Sequence, residues 1–373
     1  MSSAIKTEYL TINMGPQHPS THGVIRFILQ TDGEIIYECD PDVGYLHRGI
    51  EKIAEGISWQ SFVPYTDRVD YVCAMNSNLA YCMAVEKLMG LEIPKRAEYI
   101  RVIVSELNRI SSHAVAVGAS QMDMGAFTPF VHFLREREHI NDLFEMVCGA
   151  RLTHNYICIG GVNADLPPGF IEKTVEFLDH FEPVAEQINR LITYNQIFIN
   201  RFANVGVISP EKALNYNLVG PNLRGSGLKF DLRKDRPYSI YPELDFDVPI
   251  GTGSHGQVGD CYDRYMVRIL EIVESTKMIR QCLKMLPDGD IKAVVKSSIK
   301  PPKGHIYFRT ETPRGDTGYF INSDGKTSPQ RLKIRTGSFT AMAIIPEIIK
   351  GSFIADLVAL IGSLDIVAPE LDR

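Results

Sequence analysis

Residues 97–117 have the sequence AEYIRVIVSELNRISSHAVAV, and this stretch indicates the type of fold. Apolar side chains recur along it at intervals close to one helical turn of about 3.6 residues, at Ile100, Ile103, Leu107, Ile110, Ala114 and Val117. A helix with one apolar face buries that face against other elements. The stretch therefore predicts a long amphipathic helix in a largely helical fold.

Similar helical patterns lie on both sides of this stretch, between about residues 47 and 285. Predicted helices cover residues 68–89, 129–147, 170–202 with a break at Pro183, and 260–285. Thr128 and Pro129 are residue types preferred at the N-cap and at the first position of a helix. Glycine and proline punctuate residues 203–258, which predicts long ordered loops with one short helix after Ser209-Pro210.

Strand patterns occur near both ends of the chain. Three strands are predicted at residues 9–14, 24–30 and 34–39, with a hairpin turn at Thr31-Asp32-Gly33. Three more are predicted at residues 305–311, 318–322 and 331–335, before a last helix at 351–363. The sequence therefore predicts an α+β fold, in which a helical bundle carries small antiparallel sheets. We expect three regions, residues 1–45, 46–300 and 301–373.

Charge and hydropathy exclude several classes of protein. The formal net charge of -6 and the sequence pI of about 6.0 argue against nucleic acid as the main partner. The longest apolar run, residues 357–364, is shorter than the roughly 18 residues that a membrane-spanning helix needs. The starting sequence MSSAIKTEYL has no basic start and no apolar stretch, which predicts no signal peptide. We therefore expect a cytosolic protein, or one held at the cytosolic face of a membrane by partners.

The chain contains seven cysteines, Cys39, Cys73, Cys82, Cys148, Cys158, Cys261 and Cys282. Their number is odd and no pair has the spacing C-x-x-C, which favours reduced thiols over disulfides. The same spacing argument excludes a four-thiolate zinc or iron–sulfur site within the chain.

Two short motifs carry little functional information. Gly251–Gly256 matches G-x-G-x-x-G, but the preceding residues 245–249 are too charged for the buried strand of a dinucleotide site. We interpret this motif as a plain flexible loop. The charged string Arg135–His139 fits a solvated helix face and a protein interface equally well.

Residues 15–23, GPQHPSTHG, contain two prolines, two glycines and two histidines. This composition predicts a stiff loop that presents side chains. His22, between Thr21 and Gly23, is the main candidate for a functional histidine. The residues alone leave a structural and a functional role equally open.

Nine strings follow one another as they do in a known family: GPQHPSTHG (15–23), GYLHRGIEK (44–52), AVEKL (84–88), TPF (128–130), RERE (135–138), HNY (154–156), IGGV (159–162), DLRK (231–234) and LDR (371–373). Together they resemble the quinone-site subunit, the D-type subunit, of bacterial proton-pumping NADH:quinone oxidoreductase (respiratory complex I). The resemblance covers nearly the whole chain, and its first two strings are highly specific. That family is similar in fold to the large subunit of nickel–iron hydrogenases.

The resemblance implies an enzyme subunit that is inactive alone and reduces quinone within a proton-translocating complex. Hydrogenases hold nickel and iron with two C-x-x-C pairs that this chain lacks, so we expect it to bind no metal and no flavin. Electrons would arrive from the terminal iron–sulfur cluster of the B-type subunit, and the C-type subunit and the membrane subunits would be further partners. The chain would then be peripheral, on the cytoplasmic side of the bacterial inner membrane.

Quinone reduction takes two electrons and two protons, so its site must offer hydrogen-bond donors to the carbonyl oxygens. Neutral histidine and tyrosine both offer such donors at neutral pH. The resemblance assigns the two carbonyls to His22 and Tyr71, and makes Asp123 the partner of that histidine. A carboxylate of this kind fixes the histidine tautomer. His18 would help to shape the loop and is a further candidate for binding the quinone.

Each candidate also has a structural interpretation. Tyr71 and Tyr81 are predicted on one helix, where Tyr81 is the more typical core residue, and Asp123 fits a surface loop. The resemblance places three residues near the partner's cluster, Arg48, Arg68 and His154. A cation close to a reduced cluster favours the extra electron, although an arginine outside these motifs would be an ordinary surface residue.

One position departs from the family pattern. Where many members have a histidine directly before the residue matching His154, this chain has Thr153. That histidine is expected to titrate with the redox state of the cluster. Its absence predicts weaker redox-linked protonation and a cluster of lower potential, which suits menaquinone better than ubiquinone.

Other functions remain open from the sequence. A ferredoxin-fed complex or a membrane-bound hydrogenase-type complex would use the same fold, because other subunits select the electron donor. A purely structural scaffold is a second alternative, and a soluble NAD dehydrogenase using residues 251–256 is the weakest.

Overall fold

The computed structural model describes residues 9–21 and 23–373, and its first element is a three-stranded antiparallel sheet. The strands, in spatial order, are β1 (Leu10–Met14), β2 (Arg26–Asp32) and β3 (Ile35–Asp42). Leu10 pairs with Thr31, and Arg26 pairs with Asp42. The predicted strands and hairpin are confirmed.

Helices make up the middle of the chain. They are α1 (Ile50–Ala54), α2 (Val63–Thr66), α3 (Ala74–Met89), α4 (Lys95–Asp123), α5 (Phe127–Cys148), α6 (Phe170–Ile192), α7 (Gln196–Phe202), α8 (Pro210–Asn215), α9 (Gly220–Gly225), α10 (Leu232–Asp235) and α11 (Cys261–Met285). Short 3₁₀ turns occur at Pro19–Thr21, Tyr71–Cys73 and Tyr241–Glu243. A small hairpin, β4 (Ile157–Cys158) with β5 (Gly161–Val162), lies between α5 and α6.

A second three-stranded antiparallel sheet precedes the last helices. Its strands are β6 (Gly304–Thr312), β7 (Gly315–Ser323) and β8 (Arg331–Arg335), followed by α12 (Gly337–Ile348), α13 (Ile354–Leu364) and α14 (Ala368–Asp372). The predicted α+β class, with a helical bundle and two small sheets, is confirmed. In the part of the chain that the structure describes, no helix is long and apolar enough to cross a membrane.

Several predicted helix boundaries were wrong for identifiable reasons. The helix predicted from residue 68 begins at Ala74, because Asp70 caps a separate 3₁₀ turn before it. Helix α5 begins at Phe127, so Thr128 is not its N-cap. Helix α6 continues through Pro183, which lies on the exposed face of the helix. The proline nitrogen cannot donate a hydrogen bond, and the backbone carbonyl one turn earlier can bind water instead. The chain breaks later, and Asn195 caps α7.

Two groups of buried apolar side chains form the core. One group joins α3, α4 and α5 to the second sheet, and it includes Tyr81, whose hydroxyl donates to the Trp59 carbonyl at 2.9 Å. Tyr81 is fully buried, as expected for a core residue. The other group packs the first sheet against α7, α11 and α12–α14. The two ends of the chain therefore share one part of the core.

A cluster of buried charges connects α4, α9, α10, α11 and β6. Arg224 lies 2.7 Å from Glu271 and 2.8 Å from Glu311. Arg233 binds Asp231 at 2.7 Å and Glu106 at 3.3 Å. Burial raises the pKa of Glu311 to about 7, with Asp231 as the next cause. Because every member is buried, each charge depends on its partners for solvation.

We predict that Arg224→Met destabilises the chain by about 3–5 kcal/mol, because it leaves Glu271 and Glu311 buried without a counter-charge. Denaturant unfolding of the full chain measures the change. Arg190→Met is the matched control, since Arg190 pairs with Glu186 on an exposed helix face and should cost less than about 1 kcal/mol. Equal losses for the two variants would contradict this account of the cluster.

Candidate functional site

Tyr71 begins the 3₁₀ turn that leads into α3, and its side chain is 39% exposed. The turn forms because Asp70 Oδ1 accepts a hydrogen bond from the Val72 backbone N–H at 3.1 Å. Tyr71 was expected on the same helix as Tyr81, but the structure separates them. The turn leaves the Tyr71 ring accessible, whereas Tyr81 is buried inside α3.

Arg314 stabilises the 3₁₀ turn of Tyr71 from the loop between β6 and β7. One guanidinium nitrogen of Arg314 lies 2.5 Å from Asp70 Oδ2, and the other lies 3.1 Å from Asp365 Oδ1. Cys73 Sγ donates to the same Asp70 oxygen at 2.7 Å. Despite burial, the carboxylates of Asp365 and Asp70 raise the pKa of Arg314. This ion-paired group was not recognised from the sequence.

Glu370 lies in the same buried group. Burial raises the pKa of its carboxyl to about 7, and the Asp70 carboxylate is the next cause. The Ser338 hydroxyl donates to Glu370 Oε2. Glu370 is therefore a buried carboxyl that titrates near neutral pH, close to the residue that anchors the Tyr71 turn.

The loop of residues 15–23 begins with a cis peptide bond between Gly15 and Pro16 and contains the turn Pro19–Thr21. A Cβ at Gly15 would lie 2.1 Å from the Ile25 carbonyl oxygen, so this position requires glycine. Thr21 is fully buried, with its hydroxyl 2.8 Å from the His18 carbonyl oxygen. These contacts fix Gly15 and Thr21, while the stiffness of the whole loop stays a prediction.

The structure describes one of the two histidines of this loop, His18. His18 is exposed, and its Nδ1 accepts a hydrogen bond from the Ser20 backbone N–H at 3.3 Å. That contact fits a role in shaping the loop. His22 lies outside the described residues. Its neighbour Gly23 packs on α14, where an added Cβ would lie 3.1 Å from the Cβ of Ala368.

Asp123 is the last residue of α4 and is half-buried, whereas the structural interpretation of the sequence was a surface loop. A Cβ at Gly362 would lie 3.8 Å from Asp123 Oδ2. The carboxylate therefore faces α13, the helix that precedes Asp365 and α14.

The C-terminal residues contact Arg48 and the chain before it. The Arg48 guanidinium donates to the Arg68 carbonyl at 2.7 Å and lies 3.5 Å from the Pro369 carbonyl oxygen. Burial and the neighbouring Arg68 guanidinium lower the pKa of Arg48. Asp372 accepts hydrogen bonds from the backbone N–H groups of Gly44, at 2.9 Å, and Leu46, at 2.8 Å. The C-terminal segment thus connects Arg48, the 15–23 loop and the Tyr71 turn.

His154 is buried next to Phe144, with ring centroids 4.5 Å apart. Burial, and after it the nearby Arg137 guanidinium, lowers the pKa of His154 to about 4. Neither ring nitrogen has a hydrogen-bond partner among the described residues. His154 is therefore neutral at pH 7 and has unused hydrogen-bonding capacity. Thr153 beside it is half-buried.

Other buried polar atoms around His154 share this property. Within the described ranges, Asp67 Oδ2 and Arg137 Nε have no hydrogen-bond partner either. Burial raises the pKa of Asp67 to about 6. Asp67 precedes Arg68, and Arg137 interacts electrostatically with both His154 and Tyr71. Unpaired buried polar groups are rare in folded proteins, so their grouping near His154 distinguishes this region of the chain.

Sequence reasoning missed Asp67, Asp70 and Arg137, of which only Arg137 lies in a string that it singled out. The acids flank Tyr71 in the string DRVDY of residues 67–71, and acids so close to a candidate tyrosine were an available signal. Within the string Arg135–His139, Glu136 is buried and Arg137 is half-buried, so the string is not simply a solvated face. Its role as an interface remains a prediction.

The Gly251–Gly256 motif forms a loop without regular structure, as predicted, but a tightly held one. The Gly253 N–H donates to Asp263 Oδ2 at 3.0 Å, and the Gly251 N–H donates to the Arg224 carbonyl at 2.8 Å. The element directly before it is the 3₁₀ turn Tyr241–Glu243, not the strand that a dinucleotide site would need. All seven cysteines are free thiols.

Comparison with known proteins agrees with these features. The family model described as "Respiratory-chain NADH dehydrogenase, 49 Kd subunit" matches residues 123–299 and 292–373, and "Nickel-dependent hydrogenase" matches residues 48–117. The D 2 subunit of NADH-quinone oxidoreductase from Anaeromyxobacter dehalogenans (strain 2CP-C) is 55% identical over 99% of this chain and 97% of its own length. The D 2 subunit from Sorangium cellulosum (strain So ce56) is 56% identical over 98% and 94%. The D subunit from Prosthecochloris aestuarii (strain DSM 271 / SK 413) is 52% identical over 99% and 93%.

The family model matches the C-terminal two thirds of the chain, and the relatives align with almost all of it. The chain therefore belongs to the family of the 49 kDa subunit of respiratory-chain NADH dehydrogenase.

Proposed function

We propose that this chain forms the quinone site of a proton-translocating NADH:quinone oxidoreductase, with electrons supplied by the terminal iron–sulfur cluster of a partner subunit. The observation that carries the proposal is the Tyr71 turn, where an accessible phenol is held by the buried Asp70–Arg314 ion pair. The relatives, which are named as D subunits of NADH-quinone oxidoreductase, support the same reaction. A scaffold would not need an accessible tyrosine on a turn anchored in this way.

Tyr71 acts as a hydrogen-bond donor to one quinone carbonyl, and His22 donates to the other. Negative charge grows on these oxygens as electrons arrive, so fixed donors stabilise the reduced form. A tyrosine hydroxyl is a hydrogen-bond donor, and it can pass its proton to the strongly basic reduced quinone. Asp123 holds the histidine in the required tautomer. Loss of the Asp123 contact when His22 releases its proton starts the coupling to proton translocation.

The face around His154 receives the partner that carries the cluster, which we assign to the B-type iron–sulfur subunit. Arg48, Arg68 and Arg137 place positive charge on this side, which favours an added electron on a nearby cluster. The C-type subunit and the membrane subunits complete the complex, on the cytoplasmic side of the inner membrane. Menaquinone is the preferred substrate, because Thr153 in place of the usual histidine predicts a cluster of lower potential.

Tyr71→Phe should leave the complex assembled and lower the rate of quinone reduction about 100-fold, within the range for loss of one proton donor. Turnover of a short-chain quinone by the purified complex measures it. Tyr194→Phe is the matched control, because Tyr194 is exposed in the segment between α6 and α7 and should leave turnover unchanged. Normal turnover in an assembled Tyr71→Phe complex would exclude this role for Tyr71.

Asp70→Asn tests whether the anchored turn positions Tyr71. It removes the charge that faces Arg314, so we expect a lower kcat for quinone in addition to lower stability. Glu86→Gln is the matched control, because Glu86 forms an equally buried pair with Arg101 at the other end of α3. Both variants should lose stability, and only Asp70→Asn should lose kcat at saturating quinone. A parallel fall of kcat in Glu86→Gln would make the effect merely structural.

Thr153→His tests the link between the cluster and protonation. Threonine does not titrate near pH 7, and the low pKa of His154 keeps it neutral there. The midpoint potential of the partner's cluster should therefore depend weakly on pH between about 6 and 8. In Thr153→His it should fall with rising pH by up to about 59 mV per unit. Redox titration followed by electron paramagnetic resonance measures both, with Thr153→Gln as the non-titrating control. A steep dependence in the natural protein would identify another proton acceptor.

A further inference from the structure

Three side chains that can bind a metal ion meet between α5 and α6. They are Glu136 and His139 of α5 and His180 of α6, and their ligand atoms all lie within 4.8 Å of one another. Glu136 and His139 are three residues apart, so they project from the same face of α5. Helix α6 packs against α5 and brings His180 to the same place.

Glu136 is the buried member of this group, with a side chain only 1% exposed. Its Oε1 accepts a hydrogen bond from Arg135 Nε at 2.8 Å. Its Oε2 accepts none from the described residues, although His180 Nε2 lies only 3.2 Å away. This contact has the distance of an ion pair without the alignment of a hydrogen bond. A buried carboxylate oxygen is costly to leave unpaired, so Oε2 has unused capacity directed at the histidines.

The histidines complete a suitable set of ligands. The His139 and His180 rings lie 5.6 Å apart in an edge-to-face arrangement, and both are exposed. A cation can therefore reach them directly from solvent. Two imidazole nitrogens and one carboxylate oxygen suit zinc and similar first-row divalent cations, whereas magnesium and calcium prefer oxygen ligands alone.

We propose that Glu136, His139 and His180 form a binding site for a zinc-type divalent cation that links α5 to α6. Bond lengths of about 2.0–2.2 Å around a tetrahedral zinc ion bring its ligands close together. Small rotations of the two exposed histidine side chains supply that approach, and water takes the fourth position. The expectation from the sequence that the chain binds no metal was based on the missing C-x-x-C pairs. The proposed site has histidine and glutamate ligands and no cysteine. It is separate from the quinone site, although α5 also carries Arg137.

Bound cation would stabilise the folded chain by mass action, because the site exists only when α5 and α6 are packed together. The competing explanation is a plain ion pair between protonated His180 and Glu136. The two explanations differ in what happens when zinc is added at neutral pH, where an ion pair alone confers no affinity for the metal.

The test is a zinc titration of the full-length chain, freed of metal by a chelator, followed by calorimetry. We expect one strong site per chain in the natural protein. His139→Gln and His180→Gln should each weaken it by about tenfold or more, and both are exposed positions where folding is retained. His305→Gln is the matched control, an exposed histidine on β6 that should leave binding unchanged. No strong site, or equal affinity in all four proteins, would overturn the proposal.

Thermal unfolding gives an independent measurement that also detects binding elsewhere on the chain. Zinc should raise the Tm of the natural chain and of His305→Gln, while magnesium should not. An equal rise in His180→Gln would place the ion at another group, such as a cysteine thiol, and would exclude this site. Quinone turnover plays no part in either measurement, so failure of the proposed function leaves the result unaffected.

Discussion

The candidate site depends above all on the buried guanidinium of Arg314. It binds Asp70 under the Tyr71 turn and Asp365 ahead of α14, so it joins three segments that are far apart in sequence. Its position is fixed by close backbone contact, since a Cβ at Gly315 would lie 2.5 Å from the Gly220 nitrogen. A buried charge is tolerated only when its partners are in place. The fold and the Tyr71 turn are therefore stabilised by the same interaction.

Electrostatics divide the site into two parts. Around Tyr71 the buried charges of Asp70, Arg314 and Asp365 are matched, and burial raises the pKa of the neighbouring Glu370 carboxyl to about 7. Around His154, the atoms Asp67 Oδ2 and Arg137 Nε and both ring nitrogens of the histidine are buried without a hydrogen-bond partner among the described residues. The low pKa of His154 keeps this histidine neutral at pH 7. The two parts therefore differ in how far their buried polar groups find partners among the described residues.

Local pattern predicted the parts of the fold that have a repeating apolar face. Helices α4 and α11 and both sheets were found in this way, because their periodicity is visible within a few turns or alternations. Helix α12 was missed, since its sequence is apolar on all sides and contains Pro346. Tyr71 was proposed from family resemblance, and its role stays a prediction. Arg314 could not be found, because its contact with Asp70 spans 244 positions and no local rule links residues at that separation.

Helix α5 shows why a charged string cannot be interpreted from composition. Successive helical residues point in directions about 100° apart, so neighbours in the string meet different surroundings. Glu136 turns inward to Arg135 and His180, Arg137 turns to His154, and Glu138 pairs with Arg151 at 2.7 Å on the surface. One string therefore supplies a surface ion pair, a charge at the candidate site and the buried carboxylate of the proposed cation site. Which residue serves which purpose is decided by the helices packed around α5, and so becomes visible only in three dimensions.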